Sequence, residues 1–195
     1  MPSPLQIEKL THLFNIIDFD HNGKIEKSDF DGIIDNIDVF TSILHKSSDN
    51  ISLMADGETI WREIVQYFAN SKLLFITLEQ WIQFINKHFL EQDDETIERN
   101  VQKLVYRIQK VFDKDGDVQI SRLEFLSIFV SCRVEVRYAN ECFKVIDRNQ
   151  DGQISMDELL SAAKEFFTSS DPEAPGNYLF GKIGSTHLKT SKMKF

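Results

Sequence analysis

Residues 147–158 set oxygen-bearing side chains at Asp147, Asn149, Asp151 and Glu158, with Gly152 directly after the third of them. This matches the calcium-loop pattern D-x-[DN]-x-[DN]-G-x5-E in full. The spacing has a physical cause. A hard cation of calcium's size takes roughly six to eight oxygens at about 2.3–2.6 Å, and a short loop supplies them only by coiling around the ion. Alternate positions then face inward, the glycine takes the sharp turn, the carbonyl of Gln153 adds an oxygen, and Glu158 reaches back with both of its own.

The same register recurs twice. Asp18, Asp20, Asn22, Lys24 (through its carbonyl) and Asp29 form a first loop, with Gly23 at the turn. Asp113, Asp115, Asp117, Gln119 (through its carbonyl) and Glu124 form another. Each loop has isoleucine at its eighth position, Ile25, Ile120 and Ile154, where neighbouring loops would join in a short strand. Clustered Asp and Asn alone would mean a solvated, turn-rich surface; co-registered loops with one shared apolar position do not fit that reading.

These motifs resemble the EF-hand superfamily. Calmodulin-like chains are shorter and keep four similar hands. The length here, the order of the hands and the closing segment 171–181 are similar to the sarcoplasmic calcium-binding protein, calexcitin and calerythrin group. That resemblance implies an all-α fold of four EF-hands in two pairs, the second hand degenerate, packed as one compact globule. The expected boundaries are 1–90 for the N-terminal pair, 95–168 for the C-terminal pair and 171–195 for a tail.

The second hand is expected where Ile76 takes the eighth position and Gln80 the twelfth. Its ligand positions would be Ala69, Ser71, Leu73 and Phe75, with Leu74 at the turn. No carboxylate stands among them, so the desolvation of a dication has nothing to offset it. This hand is expected to be empty and to serve as core and as a partner for the first.

Helical spacing surrounds every loop. Leu10, Leu13, Phe14 and Ile17 precede the first, and Phe30, Ile33, Ile34 and Ile37 follow it. Similar sets flank the others, giving eight helices in helix–loop–helix units. Ser121 with Glu124, Ser155 with Glu158 and Thr77 with Gln80 fit the capping box, so loop exits double as helix starts.

The 31 acids and 22 Lys and Arg give a formal net charge of −9, which is no footprint for nucleic acid. Three divalent ions would offset most of it. The lysines of the last fourteen residues read as a solvated tail, and no membrane contact is expected. Cys132 and Cys142 form neither a disulfide framework nor a zinc spacing; buried reduced thiols are expected for both. The start Met-Pro-Ser-Pro has no signal-peptide core, and no apolar run is long enough to span a bilayer. A cytoplasmic monomer is the expectation.

The three sites should be unequal. The fourth loop is complete. The third has an extra carboxylate but places Val118 at the glycine position; if the backbone there is left-handed, its Cβ costs roughly 1–2 kcal/mol. The first ends in Asp29, one methylene short of Glu, which lowers the coordination number toward the six that magnesium demands. A calcium-weakened, magnesium-tolerant first site follows, with Glu26 placed to restore an oxygen.

Sixteen Phe against four Met favour an intracellular calcium buffer or compact signal modulator over a sensor with a Met-rich groove. Tyr178, Leu179 and Phe180 are placed to plug such a groove. The alternative is a calcium sensor that changes conformation and binds a protein partner. A small-molecule carrier would use Trp61, Trp81, Tyr67 and His88, which core packing already explains. The five histidines show no catalytic spacing, so no enzyme is expected.

Overall fold

The computed structural model describes residues 2–44, 50–68, 74–113 and 115–184. Ala69, Ser71, Leu73, Lys114 and the tail beyond 184 lie outside the described residues. Among the described residues, eight α-helices pair in sequence order: α1 (Pro4–Ile17) with α2 (Lys27–Leu44), α3 (Asn50–Tyr67) with α4 (Leu78–Ile85), α5 (Asp94–Phe112) with α6 (Arg122–Ser131), and α7 (Ala139–Ile146) with α8 (Met156–Thr168).

The helix starts follow from their caps. Thr77, Ser121 and Ser155 each accept the backbone N–H three residues on, and Gln80, Glu124 and Glu158 return to the cap N–H. Ser3 and Gln6 make a fourth capping box at α1, with Pro4 in its first turn. The box satisfies two helix donors that would otherwise be orphaned, and it fixes where each loop ends.

Between the helices, two-residue strands pair antiparallel. β1 (Ile25–Glu26) faces β2 (Phe75–Ile76), with Ile25 opposite Ile76; β3 (Ile120–Ser121) faces β4 (Gln153–Ile154), with Ile120 opposite Ile154. All four isoleucines are at most 1% exposed, so each loop is pinned at its eighth residue to the core. Pairing joins the first unit to the second and the third to the fourth.

The two pairs share one core. α2 packs on α6, and α1 packs on both α4 and α8. Phe125, Phe129, Phe143, Phe166 and Phe167 fill the C-terminal half, and Phe89 stacks on Phe167 with ring centroids 4.3 Å apart. The connection between the halves is a tight π-helical turn, Asn86–Leu90, that runs on from α4. The closing segment adds a 3-10 turn, Pro175–Tyr178, laid across α8. Leu179 is buried there, and the Phe180 ring meets Phe166 edge-on at 4.8 Å.

Two expectations need correction. Cys142 is fully buried, but Cys132 lies just past the end of α6 and is half-buried, because the chain turns there through Arg133 at φ 53°. Burial pushes both thiols up to about 12, which leaves them unreactive. Tyr67 is 37% exposed rather than core, with its ring against those of Phe68, Phe84 and His88.

Candidate functional site

The three acid-rich loops are built from one repeated set of backbone-to-side-chain hydrogen bonds. The first residue of each loop takes N–H groups from the far side of the turn. Asp18 accepts from Asn22 at 3.0 Å and Gly23 at 2.9 Å, Asp113 from Gly116 at 2.8 Å and Val118 at 3.1 Å, and Asp147 from Gly152 at 3.0 Å. The third residue accepts from the fifth: Asp20 from Asn22, Asp115 from Asp117, Asn149 from Asp151. The fifth accepts from the seventh: Asn22 from Lys24, Asp117 from Gln119, Asp151 from Gln153. Each is a short Asx-type turn, and together they coil the chain with its oxygens inward.

The backbone pays for this coil at two positions. Gly23 and Gly152 take φ of 85° and 90° at the sixth position, and Val118 takes 69° at the same place in the third loop. The fourth positions, His21, Gly116 and Gln150, are also left-handed. Val118 is thus a β-branched residue in a conformation glycine occupies freely, with its side chain 55% exposed.

The twelfth residue closes each loop from the first turn of the following helix. Glu158 accepts from the N–H groups of Arg148 and Asn149 with Oε1, and from the Ser155 N–H and hydroxyl with Oε2. Asp29, one methylene shorter, takes the matching donors: Phe19 at 3.0 Å and Asp20 at 3.4 Å on Oδ1, and Glu26 at 2.6 Å on Oδ2. It is 2% exposed and stands beside Asp18 and Asp20. Glu124 accepts the Ser121 N–H and hydroxyl, both at 2.8 Å.

The structure therefore brings Asp18, Asp20 and Asp29 together, and Asp113, Asp115 and Asp117, with carboxylate oxygens within 4.8 Å of one another in each group. In the fourth loop Asn149 replaces one carboxylate. There Oδ1 of Asp147, a residue only 2% exposed, has no hydrogen-bond partner, and neither does the buried Oε1 of Gln153. An orphaned buried carboxylate oxygen is costly unless a cation meets it. The donor set is all oxygen, which suits calcium or magnesium rather than zinc.

Electrostatics agree with that need. Burial, and then the neighbouring charges of Asp29 and Asp20, push the Asp18 carboxyl up, against hydrogen bonds from Gly23 and Asn22. Burial also pushes Glu158 up, but the combined hydrogen bonds from Ser155, Asn149 and Arg148 hold it below its usual range. Across the first ribbon the Lys24 ammonium lies 4.1 Å from the Phe75 ring centroid, directed to the second unit rather than into its own loop.

Two further contacts tie these loops to the rest of the molecule. Arg148, second in the fourth loop, pairs with Glu165 at 2.7 Å, and Glu165 also accepts the Gly176 N–H of the closing segment at 2.9 Å. Phe19, second in the first loop, is covered by Arg133 from the other half. Nothing in loop spacing signals either pair.

The chain is similar to several known proteins. The family model for an EF hand matches residues 139–162, and that for an EF-hand domain pair matches residues 5–32. Calerythrin from Saccharopolyspora erythraea is 26% identical over 173 residues, covering 85% of this chain and 94% of that protein. The sarcoplasmic calcium-binding protein from amphioxus superposes with a TM-score of 0.65 at 17% identity, covering 93% and 99% of the two chains. The calcium-loaded coelenterazine-binding protein from Renilla muelleri superposes at 0.67 and 20% identity, covering 92% and 99%.

Proposed function

We propose that the chain is a member of the EF-hand superfamily and that it holds three calcium ions, one in each acid-rich loop, as a buffer or compact signal modulator. The observation that carries the reading is the unpartnered, buried Asp147 Oδ1 at the head of the one loop that matches the calcium pattern without exception. The amphioxus and Renilla proteins are named for the ligands they bind, and this chain is read as a binding protein, not an enzyme.

Each residue has a defined part. Asp18, Asp113 and Asp147 present oxygens at the loop mouth; Asp20, Asn22, Asp115, Asp117, Asn149 and Asp151 present them along the turn. Lys24, Gln119 and Gln153 contribute carbonyls. Glu124 and Glu158 offer two oxygens each, and Asp29 offers fewer. A first site of lower coordination number tolerates magnesium, whereas the C-terminal pair prefers calcium. The second hand, with Leu74 and Phe75 in its loop and both 37% exposed or more, contributes packing alone.

Buffering is favoured over sensing by the closing segment. Leu179 is buried and the Phe180 ring packs on Phe166 of α8, covering apolar surface where a target helix would otherwise dock. No helix among the described residues is long and apolar enough to cross a membrane, and a cytoplasmic location fits the reading. The test is an apolar dye whose fluorescence rises on exposed hydrophobic surface. The buffer predicts no calcium-dependent rise; a large rise would establish a sensor that opens for a protein partner.

A further inference from the structure

Phe19 occupies the second position of the first loop, and its backbone N–H donates to the closing carboxylate Asp29 at 3.0 Å. Its ring leaves the loop. On one side it lies against α2 at Gly32, where an added Cβ would sit 2.6 Å from the ring, so only glycine admits it. On the other side is Arg133, whose guanidinium carbon is 3.7 Å from the ring centroid. The Arg133 Nη1 also stands 3.5 Å from the Phe19 carbonyl oxygen, at the outer limit of a hydrogen bond.

Arg133 belongs to the other half of the molecule. It follows the end of α6, the helix whose first turn carries Glu124, and its left-handed φ of 53° turns the chain back toward Phe19. One residue pair away, Asn36 of α2 donates to the Ser131 carbonyl oxygen at 3.2 Å. The exit helices of the first and third hands are thus joined side by side, with a metal-loop residue caught in the seam.

We propose that the Phe19–Arg133 contact couples calcium binding in the first loop to calcium binding in the third, across the boundary between the two strand-paired halves. This rests on the reading of both loops as calcium sites. Binding in the first loop orders Asp29 and with it the Phe19 backbone, which sets the ring against Arg133. Binding in the third loop orders Glu124 and the start of α6, whose far end carries Arg133. A contact made better when both are filled raises each affinity by the same factor, since coupling is reciprocal. The strand ribbons couple first to second and third to fourth; this contact is a separate route.

The test is a cycle of variants read by NMR at the Gly23 amide, which bonds to Asp18 and reports the first loop alone. Calcium is titrated into wild type, E124Q, R133A and the double variant. Disabling the third loop with E124Q raises the Gly23 midpoint about two- to five-fold, the range a cation–π contact supports. In the R133A background E124Q has no further effect, and R133K restores part of it. An equal E124Q effect with and without Arg133, or none in wild type, overturns the coupling. A Gly23 amide that ignores calcium altogether overturns instead the assignment of the first site.

Discussion

The Lys9 ammonium donates to the carbonyl oxygens of Ser169 at 2.7 Å and Glu165 at 3.1 Å, joining the first helix of the chain to the last turn of its eighth. Lys9 has no exposed surface, and a cation at a helix C-terminus answers the carbonyls that helix leaves unpaired. Gln6, one turn earlier, does the same for the Thr168 carbonyl at 2.8 Å. The N-terminal hand is held to the C-terminal hand through the end of α8.

This contact predicts a pH dependence. Burial lowers Lys9 to about 8 from an ordinary 10.5, with the Glu165 charge opposing. Between those values the unfolded chain keeps the proton and the folded chain has released it, so stability rises with pH through that window. Below about pH 8 both states hold the proton and the burial penalty is present in full. Relative to Lys9→Met, which lacks the group, wild-type stability should climb between pH 8 and 10.5 by up to about 3 kcal/mol. Urea unfolding of the pair at several pH values measures it; parallel pH profiles would refute it.

Gly176 sits so close to α8 that a Cβ there would lie 2.5 Å from Glu165 Cβ and 2.7 Å from the Phe166 nitrogen. Backbone cannot yield as a side-chain tip can. Gly176→Ala should lose about 2–3 kcal/mol of stability and free the closing segment to proteolysis near Asp171. Chemical unfolding and limited proteolysis report the two effects.

Val118 carries its left-handed strain into the third loop. Val118→Gly should tighten that site by about five- to thirty-fold, the equivalent of roughly 1–2 kcal/mol. Calorimetry on the variant checks it, and unchanged affinity would mean the strain is relieved elsewhere in the loop.

Asp29→Glu restores the missing methylene. One more charged ligand contact should raise first-site calcium affinity roughly ten-fold and remove its sensitivity to magnesium. A calcium titration at the Gly23 amide, with and without millimolar magnesium, reads both.

Much of this architecture was legible because it is local. Ile25, Ile76, Ile120 and Ile154 announced the ribbons by register alone, and the Thr77, Ser121 and Ser155 boxes announced the helix starts. The Val118 backbone followed from its place in the loop. The Asp29 side chain is less legible: its length implies a poor reach, yet it takes backbone donors that match those of Glu158. Contacts between halves were not legible. Phe19 with Arg133 is separated by more than a hundred residues and follows no period. Gln6 and Lys9 did leave a trace, standing three apart on the stripe that continues to Leu13, where polar residues need a partner if they are buried.

The three-site assignment is tested by the number of calcium ions the chain binds at equilibrium, counted by dialysis against labelled calcium, first without and then with millimolar magnesium. Three ions per chain are expected, falling toward two in magnesium as the first site exchanges. Four ions would mean the second hand is not degenerate. Two or fewer without magnesium, or three that magnesium does not disturb, would contradict the assignment of three unequal sites.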